Sequence, residues 1–168
     1  MAHKTLIGGT AYSIVGGKTL VNGTGYSINK GKTLIGGTAY NINFDPEYYA
    51  ILYNTGDFSI KAWDTPESGK TVTNKYTGFI NVNQTYSGAP WNAKYASIKN
   101  VYFNDPITTT SLTSWFFNAT ALTSFNATNL NLGAVKNMYY TFFNCRSYTG
   151  SVLNTPNVTY MHYTYADC

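Results

Sequence analysis

Charge is scarce in this sequence: only 11% of residues are Asp, Glu, Lys or Arg, against roughly 25% in an average soluble domain. The eleven Lys and Arg residues are scattered and leave a net charge of +4. No basic run marks a nucleic-acid arm or a patch for anionic membranes, so neither partner is expected. Cysteine is equally sparse, and two cysteines do not make a disulfide framework. The two histidines, His3 and His162, lie far apart and fit no zinc spacing, so no metal or other cofactor is expected. Long apolar runs are missing, which removes a membrane-spanning helix from the expectation. The opening MAHKTLIGG has no apolar core of a signal peptide, so export through one is not expected.

Tyr, Thr, Asn and Gly stand where charge would be, with 16 Tyr and 15 Gly. That mixture suits short strands joined by tight turns, with hydrogen-bonding side chains in place of ions. Tyr also supplies broad contact at low entropic cost on binding surfaces. An apolar content of 43% is enough for a folded chain. The expected class is mainly β.

The first forty residues repeat. Lys4, Lys18 and Lys32 are each fourteen apart, in KTLIGGTAYSIVGG, KTLVNGTGYSINKG and KTLIGGTAYNIN. Each unit holds two β-prone runs around Gly8-Gly9 or Asn22-Gly23, dipeptides suited to hairpin turns. About six short strands in a meander are predicted for 1–43, with Lys4, Lys18 and Lys32 in one ladder and Tyr12, Tyr26 and Tyr40 in another. So small a sheet buries little area, so packing against the rest of the chain or against other copies is expected. The Gly-Lys-Thr triplets at Gly17, Gly31 and Gly69 are turn chemistry. A phosphate loop needs a glycine five residues earlier, where Tyr12, Tyr26 and Asp64 stand, and a helix after it.

Residues 44–107 read as a β-rich linker or capping region. Within it, YYAILYNTGDFSIKAW predicts a hairpin turning at Asn54-Thr55-Gly56-Asp57, with strand-like pieces at 76–86 and 97–103. From 108 to 168 a longer period appears. VKNMYYTFFNC (135–145) aligns with VTYMHYTYADC (158–168) at a shift of twenty-three, and LTSWFFNA (112–119) fits at twenty-six. Such periods predict a solenoid whose coils pair a short strand with a short helical turn, with further strands at 122–126 and 151–154. Asn118, Asn144 and Asp167 then form one ladder. Cys145 and Cys168, after Ala119, continue the next as small apolar residues rather than a bridge. The chain ends on such a coil without a polar cap, so a continuation or a covering partner is expected.

Catalytic arrangements are thin. Asp64 and Glu67 flank Pro66 and are the only pair resembling a glycosidase couple, but turn chemistry accounts for them. No serine sits in a nucleophile elbow. The N-x-[ST] triplets at Asn22, Asn83, Asn118, Asn126 and Asn157 follow from composition. Exposed aromatics are the better functional candidates: Trp63, Trp91, Tyr139 and Tyr160 as ligand-facing rings, with Trp115 assigned to packing.

The segments YAILYNTGDFSIKAW, APWNAKYASIKNVYFNDPIT, LTSWFFNATALTSF, VKNMYYTFFNC and NVTYMHYTYADC, across 48–168, resemble the BspA-type leucine-rich repeats of bacterial surface proteins. Many coils of that family read N-V-T-N-M-x-x-M-F-x-x-C, whereas RSYTGSVLNTPNV here lacks the regular Leu-x-Leu strand. The fourteen-residue unit resembles hairpin repeats in structural proteins of phages and prophages of gut Firmicutes. Together these resemblances imply binding or virion assembly. The expectation is a non-enzymatic, fibre- or decoration-like subunit on the virion surface. It would be a homo-oligomer, trimeric by preference, contacting other virion proteins and a bacterial surface glycan or protein. A bacterial cell-surface adhesin is the alternative, and a glycan-active enzyme the remote one.

Overall fold

The computed structural model describes residues 3–7, 10–14, 18–21, 24–27, 31–35 and 38–42 as backbone, and 47–82 and 88–168 in full. Two compact units, Met1–Pro46 and Glu47–Cys168, divide the chain. The fold is mainly β, and its largest sheet is mixed and five-stranded.

In the first unit β1 (His3–Ile7) pairs antiparallel with β2 (Thr10–Ile14), β3 (Lys18–Val21) with β4 (Thr24–Ser27), and β5 (Gly31–Ile35) with β6 (Thr38–Ile42). Register is shared: Lys4 lies opposite Ser13, Lys18 opposite Ser27 and Lys32 opposite Asn41. Likewise Tyr12, Tyr26 and Tyr40 oppose Thr5, Thr19 and Thr33. The expected turns at Gly8-Gly9 and Asn22-Gly23 lie outside the described residues, as do the side-chain ladders of these lysines and tyrosines.

In the second unit the sheet order is β11-β10-β8-β7-β9. The hairpin of β7 (Tyr48–Tyr53) and β8 (Asp57–Ala62) turns at residues 54–56, where Gly56 holds φ +88°. Both strands are buried almost throughout, as suits strands covered on both faces. β9 (Val72–Tyr76) pairs on the outside of β7. β10 (Asn100–Phe103) runs parallel to β8, and β11 (Ser124–Asn126) parallel to β10. Of the strand expected at 76–86, Tyr76 ends β9 and residues 77–82 form no strand, while 83–86 lie outside the described residues. Residues 151–154 form no strand.

Beyond β10 the chain piles up by backbone pairing between successive segments. Ser111 bridges Asn137, and Asn137 bridges Tyr160, both in parallel. The amides of Leu112, Ser114, Phe116 and Asn118 donate to the carbonyls of Asn137, Tyr139, Thr141 and Phe143 at 2.9, 2.9, 3.0 and 2.8 Å. One segment on, those of Met138, Tyr140, Phe142 and Asn144 donate to Tyr160, His162, Thr164 and Ala166 at 2.8, 3.1, 2.8 and 2.8 Å. The short helices expected here are absent from these segments, which are turns. Their alternate amides leave for the neighbouring segment and so cannot close i−4 bonds of their own. Described helical structure is limited to two 3-10 turns, Asn92–Ser97 and Leu132–Ala134.

The geometry depends on a left-handed backbone at matching positions. Ser114, Tyr140 and Tyr163 have φ of 55°, 54° and 56°, and Asn118, Asn144 and Asp167 have 60°, 57° and 59°. Asn and Asp tolerate this region, which accounts for them at the second position. Ser114 does not gain that tolerance, and its buried hydroxyl has no partner among the described residues. Left-handed φ costs about 1–2 kcal/mol for an L-residue, and a buried orphan hydroxyl about 1–3 kcal/mol. Glycine gives back about 0.5–1 kcal/mol through the unfolded chain. Ser114→Gly is therefore expected to stabilise the unit by about 1 kcal/mol and raise its melting temperature by a few degrees. A lower melting temperature in differential scanning calorimetry would contradict this account.

Candidate binding face

Each segment of the pile has an inner and an outer side. Inward go Leu112, Met138, Phe116, Phe142 and Cys145, all fully buried. Outward go the residues one or two positions away, and there the sequence supplies rings. Phe117 stacks on Phe143 at 5.2 Å and 11°, and Tyr140 stacks on Tyr163 at 5.0 Å and 5°. Tyr139 meets Tyr140 at 4.3 Å and His162 at 6.5 Å. Phe117, Tyr139, Tyr140 and Phe143 are half-buried, while His162 and Tyr163 are exposed. The result is an aromatic stripe across three segments, anchored below by the backbone ladders. Two tyrosines held at positive φ make it unusual, because bulky residues avoid that region and occur there chiefly where packing enforces it.

Beside the stripe, Asn144 Nδ2 donates to Asn118 Oδ1 at 2.9 Å, and Arg146 Nε donates to Asn144 Oδ1 at 2.6 Å. An open groove of about 400 Å³, lined by Asn92, Ala93, Tyr95, Ala96, Phe117 and Asn118, adjoins it. Flat rings, amide edges and a groove form a surface for stacking and hydrogen bonding with a neutral ligand.

The four rings expected to face a ligand separate. Tyr139 belongs to the stripe, and Tyr160 is 59% exposed at the end of the pile. Trp63 is half-buried after β8 at φ 68°, its amide donating to Glu47 O at 3.0 Å. Trp91 is a correction. It is 0% exposed, and its Nε1 donates to Trp115 O at 2.6 Å. Trp115 is also fully buried. An indole buries more apolar surface than any other side chain, and that size, rather than its binding chemistry, decides where Trp91 sits.

No family model matches this chain, nor does any curated protein or solved structure. The function must therefore be read from the chain's own geometry.

The acidic pair does not converge. Asp64 is tied to Lys75 at 2.6 Å and is largely exposed. Glu67 contacts Lys70 at 2.8 Å, and accepts from Asn104 Nδ2 at 3.0 Å and from the Ser59 hydroxyl. Burial pushes the Glu67 carboxyl up, but the hydrogen bonds from Lys70, Ser59 and Asn104 outweigh it and hold the group below its ordinary value. That is opposite to the raised value a general acid needs. Lys70 also contacts Asp57 at 2.7 Å, and this bond holds Asp57 low while the two carboxylates hold Lys70 high. This cluster ties the loop of residues 63–71 to β8. Among the described residues no group of three or more His, Cys, Asp or Glu is placed to hold a metal ion. None of the described helices is long and apolar enough to cross a membrane.

Both cysteines are free. Cys145 Sγ donates to Phe116 O at 3.1 Å, and Cys168 Sγ donates to Phe142 O at 2.8 Å. Burial pushes the Cys145 thiol up to about 12, so it is inert. Two residues the sequence reading passed over act beside them. Thr141 Oγ1 donates to Leu112 O at 3.0 Å, and Thr164 Oγ1 donates to Met138 O at 2.8 Å. Each junction is thus closed from both sides: amides donate forward, and a Thr-x-x-x-Cys pair donates back. The repeated Thr and Cys were the available signal. The N-x-T at Asn126 is likewise a local turn, with Asn126 Oδ1 accepting from Thr128 N at 3.0 Å and Oγ1 at 2.6 Å.

Proposed function

We propose that this protein is a non-enzymatic binding subunit of a phage particle, fibre- or decoration-like, whose residues 108–168 form a solenoid presenting its aromatic stripe to a bacterial surface. The stripe of Phe117, Tyr139, Tyr140, Phe143 and Tyr163 carries this reading. It spends a bulky residue on a strained backbone position twice and keeps the rings stacked, with Tyr163 exposed and the other four half-buried. A glycan or a flat protein epitope suits such rings. Residues 1–43, by their resemblance to hairpin repeats of phage structural proteins, serve assembly as a homo-oligomer, with a trimer preferred.

Two measurements test the proposal. Mass spectrometry of density-gradient-purified particles from a host carrying the gene is expected to find peptides of this chain at stoichiometric level. Recovery in the cell-wall fraction instead would transfer the binding role to a surface adhesin. With purified protein, the double variant Tyr139→Ala/Tyr163→Ala is expected to weaken binding to host cells at least about tenfold, as loss of aromatic anchors does. Its melting temperature should change by only a few degrees, since both side chains are at least partly exposed. Unchanged cell binding would remove the stripe from the site.

A further inference from the structure

The 3-10 turn Asn92–Ser97 borders two grooves of opposite character. Its Asn92, Ala93, Tyr95 and Ala96 line the neutral groove beside the stripe, whereas Lys94 and Ser97 line another, of about 350 Å³. Leu52, Asn54 and Asn74, from the β7–β8 hairpin and β9, and Lys99 line this second groove as well. Sites for small ligands begin at about 300 Å³. Two lysines and no carboxylate are among its described lining residues, in a chain where charge is scarce. The ion pairs described in this unit belong to Lys70 and Lys75, so Lys94 and Lys99 have no acidic partner among the described residues.

Both lysines are anchored at the backbone. The Lys99 amide donates to Gly56 O at 2.8 Å, and its carbonyl accepts from Thr123 N at 2.8 Å. Its stem lies against Gly56, where a Cβ would come within 2.8 Å of Lys99 Cγ and Cδ. The Lys94 amide donates to the carbonyl of the buried Trp91 at 2.8 Å. Two like charges lining one groove, with no acid to balance them, raise the local potential and attract an anion. Neutral hydrogen-bonding groups stand around them. The half-buried Asn74 amide and the Ser97 hydroxyl have no partner among the described residues. Asn54 Oδ1 accepts from Thr71 N at 3.4 Å, which leaves its Nδ2 as a donor.

Charge alone does not select the occupant. Duplex DNA carries one charge about every 1.7 Å and needs a row of cations, which two lysines do not form. A bare anion leaves Asn54, Asn74 and Ser97 unused. A sugar bearing a carboxylate or phosphate uses both sets, because its ring hydroxyls donate and accept beside the oxyanion. We propose that this groove binds a negatively charged sugar, with Lys94 and Lys99 on its oxyanion and Asn54, Asn74 and Ser97 on its hydroxyls. The site is separate from the aromatic stripe and does not depend on the particle assignment.

The test titrates the full chain, labelled with nitrogen-15, with trigalacturonic acid and with glucose-6-phosphate at low salt. Saturable shifts at the amides of Gly56, Asn74, Lys94 and Lys99 are expected with at least one of them, at Kd below about 1 mM. The tighter of the two tells a carboxylate from a phosphate ligand. Glucose should leave these amides unchanged, and inorganic phosphate and hexaglutamate should bind at least about tenfold more weakly, having no sugar hydroxyls to pair. Lys94→Gln/Lys99→Gln should weaken sugar binding at least about tenfold, since charge-assisted hydrogen bonds are lost. Its melting temperature should stay near that of wild type, because both side chains are exposed. Asn74→Ala should weaken binding of the charged sugar and leave that of inorganic phosphate unchanged. The proposal is overturned if neither charged sugar binds, if glucose binds equally, or if the double lysine variant binds as wild type does. Equal binding of inorganic phosphate would mean an adventitious ion only, and equal binding of hexaglutamate a peptide site; either overturns it.

Discussion

Trp91→Ala is expected to cost about 3–5 kcal/mol, the range for deleting a fully buried aromatic side chain. Trp91 contacts Phe58 of β8 at 5.0 Å, Tyr76 of β9 at 5.9 Å, Phe79 at 5.2 Å and Trp115 at 5.5 Å. It therefore joins the five-stranded sheet to the piled segments, and its removal opens a cavity where both meet. The loss is also polar. Trp115 O would lose the Nε1 donor that closes the first segment's carbonyl edge, and a buried carbonyl left unpaired adds about 1–3 kcal/mol. Small domains hold only about 5–15 kcal/mol in total, so this single change removes a large part of the stability. Trp91→Phe keeps a ring but not the donor, and should fall between wild type and Trp91→Ala. Urea unfolding followed by circular dichroism gives the ordering. A Trp91→Ala protein within about 1 kcal/mol of wild type, well under the cavity range, would return Trp91 to the surface.

That residue also shows where sequence reading reached its limit. The hairpin of β7 and β8 was legible because Asn54-Thr55-Gly56-Asp57 combines turn-forming side chains with a glycine for positive φ, and the structure places Gly56 at +88°. An added Cβ at Gly56 would also come within 2.8 Å of the Lys99 side chain, so the position is fixed twice. The left-handed positions at Ser114, Tyr140 and Tyr163 gave no such signal, since none is glycine. The segments around NMYYTFFN were given short helical turns from the repeat spacing of twenty-three to twenty-six residues. Spacing does not reveal that alternate amides are committed to a neighbouring segment. The buried Thr hydroxyls were silent for a related reason: Thr in a Thr-rich sequence looks like surface. Of the outer rings, Tyr139 was named from the sequence, while Tyr160 lies apart from them, exposed at the end of the pile. Phe117, Tyr140, Phe143 and Tyr163 were not named, because which ring of an aromatic pair points outward depends on backbone dihedrals.

The division between inner and outer rings yields the other large effect. Phe142→Ala is expected to destabilise the second unit by about 3–5 kcal/mol, while Tyr163→Ala should cost under about 1 kcal/mol, as for other exposed sites. Both residues sit in ring stacks, so ring contact alone does not separate them. Phe142 lies between Phe116 at 5.8 Å and Tyr165 at 5.2 Å, with Tyr148 at 5.2 Å, and Phe125 approaches edge-on at 5.1 Å. It is 0% exposed, so its deletion leaves a void that neighbouring rings, themselves held by backbone ladders, cannot collapse to fill. Tyr163 stacks on Tyr140 but is 57% exposed, so water replaces much of what is lost. Tyr163→Ala even relieves part of the crowding of a bulky side chain at φ 56°. Chemical denaturation of the two variants side by side gives the difference. Comparable losses would mean that the rings of Tyr140 and Tyr163 are structural, and the outer stripe would then lose its claim to be a binding face.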